Sequence, residues 1–171
     1  MSMDYLIHLD DISDEIIPQM ISELNKFEMS CEIRPGFSFA LHSGFLPFRF
    51  RLSNPGIDLL KGRDLMSGFE LYVRDFHVSE AKGFSQDDLS RLSKLKKTVI
   101  IRLCPLDSFE FRFSELTSAI IAEILDAPRS LAGNVIFDSR TIVEKSWEAV
   151  KAREKSIAND DWRYHEFVGW S

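Results

Sequence analysis

The chain has 171 residues, with 27 acids against 21 lysines and arginines and a formal net charge of −6. A 44% hydrophobic and 28% charged composition excludes a disordered or fibrous chain. The length suits one domain that can bury a core without metal or disulfide.

The opening MSMDYLIHLDD lacks a basic start followed by a long apolar run, so no signal peptide is expected. No apolar run reaches the length of a membrane span. The expected compartment is the cytoplasm. Residues 5–9 read as a short strand. Residues 13–27 read as a helix, because Ile17, Met20, Ile21, Leu24 and Phe27 share one face. Ser13 or Asp14 can cap it, and Pro18 must lie in its first turn.

From 31 to 52 the period changes to two. Phe37, Phe39 and Leu41 alternate, as do Phe48, Phe50 and Leu52 against Arg49 and Arg51. A hairpin is predicted, turning at His42-Ser43-Gly44. Residues 53–68 read as a loop with a short helix at 57–60. Residues 69–78 read as a strand, with Phe69, Leu71 and Val73 on one side and Glu70, Tyr72 and Arg74 on the other.

Ser85 with Asp88 resembles a helix N-cap, followed by Leu89, Leu92 and Leu95 and a basic end. Residues 98–103, TVIIRL, form the clearest strand. Phe109, Phe111 and Phe113 alternate with Glu110 and Arg112, which predicts a second hairpin. Ser114 would then cap a helix running to about Asp126, ended by Pro128. Residues 134–138 read as a short buried strand. A last helix runs from Ser139 or Thr141 to about Ser156, with Val143, Trp147 and Val150 as its stripe. These elements imply an α+β fold: a single-domain sandwich over 1–171, its largely antiparallel, Phe-rich sheet packed by three to four helices. Residues 158–171 form an acidic and aromatic tail.

The chemistry-bearing residues are dispersed. There is no GxGxxG, P-loop, HExxH, GxSxG or CxxC motif. His8, His42, His77 and His165 lie far apart, and no metal or cofactor is expected. His8 with Asp10, and Asp75 with His77, stand at strand spacing, where polar side chains at a sheet rim are the commoner outcome. Ser43 reads as a turn residue. Cys31 and Cys104 read as small hydrophobes, with a disulfide neither required nor forbidden. Arg91, Lys94, Lys96 and Lys97 are basic without interleaved aromatics, a poor platform for single-stranded nucleic acid.

Charge is placed unevenly. Residues 1–30 hold seven acids and one base. An acidic edge repels nucleic-acid phosphates and can steer a basic protein partner. The tail joins Asp160 and Asp161 to Trp162 and Tyr164, and large aromatics anchor interfaces well. It either packs back on the domain or forms part of a partner surface.

Segment 98–138 resembles the C-terminal half of small bacterial proteins found among polymorphic-toxin and type VI secretion immunity proteins. In these an apolar strand precedes an alanine-containing helix, a glycine and a short strand ending in Asp. The matching pieces are TVIIRL, TSAIIAEIL and AGNVIFD. Asn134 after Gly133, and Ser139-Arg140 after the Asp, depart from that pattern. The resemblance implies a partner-binding protein and carries no catalytic residue across. The expected function is therefore a non-enzymatic inhibitor that occludes the active site of a toxin with a basic surface. Its expected contacts are Asp10, Asp11, Asp14, Glu15, Glu23, Asp160, Asp161, Trp162 and Tyr164. The alternative is a small-molecule-binding or enzymatic domain, with a pocket between sheet and helices rimmed by His8, His42 or His77.

Overall fold

The alternating segments assemble into one sheet in the computed structural model, which describes residues 2–170 and, among their side chains, all but that of Glu80. The strands are β1 (Met3–Leu9), β2 (Met29–Ile33), β3 (Gly44–Leu52), β4 (Leu65–Asp75), β5 (Lys97–Leu103), β6 (Arg129–Leu131), β7 (Asn134–Ile136) and β8 (His165–Glu166). The helices are α1 (Ile17–Leu24), α2 (Gln86–Leu92), α3 (Glu110–Leu125) and α4 (Ile142–Lys155). The sheet order is β2-β3-β4-β5-β1-β6-β7, and β8 pairs with β4. Every described pairing is antiparallel, so the α+β architecture follows the expectation.

The two faces of the sheet differ because side chains alternate. On the first face, α3 packs over β1, β4 and β5, with α1 and α4 beside it. Tyr5, Ile7, Phe48, Phe50, Phe69, Leu71, Val99 and Ile101 are buried there. Phe48 stacks on Phe113 at 4.9 Å, and Phe50 meets Phe109 edge-on at 5.1 Å. The phenylalanines thus fill the space between sheet and helices, where a ligand pocket had been an alternative. Arg129 pairs with Glu115 at 3.2 Å in this interior, and Ser146 donates to the same carboxylate at 2.8 Å.

Local chemistry explains the element ends. Ser13 accepts from the Glu15 amide, Pro18 falls in the first turn of α1, and Ser85 accepts from the Asp88 amide at the start of α2. Asp126 takes a left-handed conformation (φ 48°) just beyond α3.

Several expectations are corrected. Residues 109–113 are not a hairpin. Phe109 precedes α3 and Phe113 lies in its first turn, so the two share a helix face at spacing four. Asp107 starts the helix by accepting from the amides of Phe109 and Glu110, at 2.7 and 3.1 Å. Ser114 sits inside the helix and donates to the Glu110 carbonyl. Phe37, Phe39 and Leu41 lie in the connection between β2 and β3 rather than in a strand. β4 begins four residues before the expected strand and ends at Asp75. The strand at 134–136 is half-exposed rather than buried, and it pairs with β6, which the sequence reading omitted.

Candidate functional site

The second face of the sheet carries a three-by-three grid set by strand register. Asp4, Arg102 and Glu70 form one row, Leu6, Ile100 and Tyr72 the next, and His8, Thr98 and Arg74 the third. The segment after β4 folds over part of this face. Phe76 and Phe84 place their rings edge-on to His8, at 5.1 and 6.0 Å. Gly83 touches the β6–β7 turn so closely that a Cβ on Gly133 would lie 2.4 Å from the Gly83 carbonyl oxygen. What stays open is a groove of about 780 Å³, running along β1 from Met3 to His8.

Around the groove, several polar groups of the grid serve one another. Arg102 donates from Nε and Nη2 to both oxygens of Asp4, at 2.8 and 2.9 Å, and lies 3.8 Å from Glu70. These bonds hold its guanidinium pKa upward, the Asp4 hydrogen bond foremost. Tyr72 donates to Glu70 at 3.3 Å. The Arg74 and Arg102 guanidiniums stand 5.3 and 5.8 Å from the Tyr72 ring centre. His8 is fully buried, with Nε2 2.9 Å from Ser130 Oγ and Nδ1 3.4 Å from Thr98 Oγ1. Burial pushes its pKa down to about 4, so the ring is neutral at pH 7. A neutral ring held between two hydroxyls organises the floor. His8 turns to Ser130, not to Asp10.

His77 also borders the groove, as does Asp75, but no hydrogen bond joins them among the described residues. His42 lies elsewhere and donates to the Gly44 carbonyl at 2.9 Å. Two of the three histidines proposed for a rim therefore meet at one groove, on the face opposite the main helices.

The acidic residues named from sequence separate into groups. Asp10 and Asp11 are exposed just past the end of β1, two and three residues beyond His8, so they adjoin the groove. Asp11 caps the Ile12 amide and lies 3.6 Å from Lys97. Asp14 accepts from the Phe39 amide at 2.9 Å, and Glu15 is exposed beside it. Glu23 pairs with Lys26 at 2.7 Å, beyond this group on α1.

The tail belongs to the other end of the sheet. β8 pairs with Leu65 and Met66, whereas the Asp10 end faces Lys97 and Asp75. Nine residues of β4 between these points span roughly 30 Å. The tail and the N-terminal acids therefore do not form one surface. Trp162 lies against Phe109 at 5.3 Å, Ser108 and Arg163 exchange two hydrogen bonds, and Arg63 pairs with Glu166. Arg63 and Arg49 cover the Tyr164 and Phe167 rings. Trp162 and Tyr164 thus pin the tail to the body, while Asp160 and Asp161 stay exposed.

The remaining polar groups of note are structural. Cys31 is buried and its thiol is pushed up to about 12 by burial; Cys104 is raised for the same reason. Neither is a ready thiolate. Arg91 of the basic helix end stacks 3.4 Å from the Phe137 ring centre. Among the described residues, no cluster of three or more His, Cys, Asp or Glu could hold a metal, and no helix is long and apolar enough to cross a membrane. The sequence reading missed Ser130 because β6 is only three residues long. The Glu70, Tyr72 and Arg74 alternation was the available signal for the grid.

Comparison with protein-family models, curated proteins and solved structures finds no match.

Proposed function

We propose that this chain is a non-enzymatic, protein-binding inhibitor of immunity type, acting in the cytoplasm to neutralise a toxin by covering its active site. The observation that carries this reading is the second sheet face. Asp4, Arg102 and His8 are engaged by neighbouring residues, and the face around them combines shape, apolar surface and charge. Leu6 and Ile100 supply apolar area, and Tyr72 with two arginines is the residue mixture that dominates protein interfaces. Asp10 and Asp11, just past the groove end of β1, can steer a basic partner toward it, whereas Asp14 and Glu15 lie just before α1 beside the β2–β3 connection. Glu23, Asp160 and Asp161 lie outside this surface, and Trp162 and Tyr164 support the fold.

The test is to mix the purified chain with the product of the neighbouring gene and to co-express the two. A stable complex and protection of the cells are expected. Absence of both would overturn the proposal. A second reading, a small-molecule site, is favoured by His8 and His77 bordering the same groove of about 780 Å³. It predicts a saturable thermal shift with a small ligand in the absence of any partner protein.

A further inference from the structure

A separate cleft opens on the helix side of the molecule, between the C-terminal half of α4, the loop after β3 and the start of the tail. Its volume is about 320 Å³. That lies at the small end of the range for ligand sites. Leu52 and Leu60 form its apolar floor, and Trp147 and Trp162 stand in its walls.

Both indoles are fixed before any ligand arrives. Trp147 packs against Phe27 at 5.2 Å, and Trp162 against Phe109 at 5.3 Å. Arg112, only 4% exposed, is neutralised by Glu154 through bonds of 2.8 and 2.7 Å, and it also donates to the Phe27 carbonyl at 2.7 Å. With that pair balanced, the charges left at the cleft are Lys151, Lys155 and Glu28. Lys151 and Lys155 are one helical turn apart on α4. Lys151 has an exposed partner in Glu148. Over its lining residues alone the cleft carries one net positive charge, and Lys155 is the cation left without an ion pair among the described residues.

Trp147 already receives two cations, with Arg112 at 5.3 Å and Lys151 at 5.7 Å from its ring centre. A cationic ligand would have to displace them. We infer that this cleft binds a small planar aromatic anion, its ring over the Leu52–Leu60 floor between the two indoles and its anionic group toward Lys151 and Lys155. A short hydrophobic floor and fixed aromatic walls favour a flat ring over a flexible chain, because little side-chain ordering remains to be done on binding. This inference is independent of the protein-binding reading, since groove and cleft share no residue.

The experiment titrates the whole chain with 1-anilinonaphthalene-8-sulfonate, read by energy transfer from tryptophan, with uncharged N-phenyl-1-naphthylamine as the comparison. One saturable site is expected. The surface variant Lys151→Glu/Lys155→Glu should weaken the sulfonate by about tenfold or more, roughly the scale of losing a charge-assisted contact. The same variant should leave the uncharged compound unchanged, and Glu28→Gln should tighten the sulfonate. Lys82→Ser, at the exposed edge of the groove, should leave both unchanged. No saturable binding, equal affinity in the double lysine variant, or loss of binding in Lys82→Ser would each overturn the inference.

Discussion

His8 Nε2 lies 2.9 Å from the Oγ of Ser130, a residue 122 positions further along the chain. This contact ties β1 to β6 beneath the groove, where burial keeps the imidazole neutral. The proton balance follows from its pKa of about 4 against 6.5 for an unfolded histidine. The unfolded chain takes up the proton first. His8 therefore contributes stability that is complete above pH 6.5 and lost as pH falls toward 4. His8→Asn should remove this acid-side slope in urea unfolding midpoints measured between pH 4 and 8. An unchanged slope would show that the buried imidazole does not titrate as described.

Glu110 has the opposite sign. Burial pushes its carboxyl up to about 7 from 4.5, so the folded chain holds a proton that the unfolded chain has released. The cost begins as pH rises past 4.5 and is complete above 7. Glu110→Gln keeps an acceptor for the Leu106 amide, which now donates to Oε2 at 3.3 Å. The variant should gain on the order of 1 kcal/mol at pH 8 relative to the wild type, and almost nothing at pH 4. Denaturant unfolding at the two pH values measures the difference. Because His8 and Glu110 act in opposite directions between pH 4.5 and 6.5, each is visible only in its own variant.

The β6–β7 turn stores a small strain. Ala132 and Gly133 have φ of 50° and 85°, both left-handed, between the paired residues Leu131 and Asn134. This is the geometry of a two-residue hairpin that favours Asn-Gly. Ala132→Asn should raise stability by about 0.5–1 kcal/mol, since alanine pays for the left-handed conformation. Gly133→Ala should do the reverse, because its Cβ would meet the Gly83 carbonyl and lift the segment that covers His8. Hydrogen exchange of residues 76–84 would report that lifting, and unchanged exchange would contradict it.

The tail is predicted to be structural. Trp162→Ala removes the ring packed on Phe109 and should cost about 2 kcal/mol, below the value for a fully buried tryptophan because Trp162 is half-exposed. Asp160→Lys with Asp161→Lys should leave stability within about 0.5 kcal/mol, as exposed sites do. Urea unfolding of both variants checks the pair of outcomes.

The limits of sequence reading are visible in two similar phenylalanine patterns. Phe48-Arg49-Phe50 is a strand, as its period of two says. Phe109-Glu110-Phe111-Arg112-Phe113 has the same period and is a helix start. Spacing four is common to both geometries, so the decision lies in the flanks. Asp107 caps the backbone, and the apolar residues from Leu116 onward continue at helical spacing. The outward face of β4 was legible because Glu70, Tyr72 and Arg74 alternate against a run of core residues. Its meaning was not, because the grid depends on which strands become neighbours, and β1 joins β5 across some ninety residues of chain. The separation of the acidic groups has the same cause. Composition located the acids along the chain, but only the register put the tail and Asp10 at opposite ends.

The central claim is that a protein partner is held on the second sheet face. Hydrogen exchange of the chain with and without the neighbouring gene's product tests it most directly. Slowed exchange in segments 3–12, 70–77 and 98–102, with the tail from 158 to 170 unaffected, is the result this account predicts. Protection confined to the tail, or to the outer surface of α1 and α4, would contradict it.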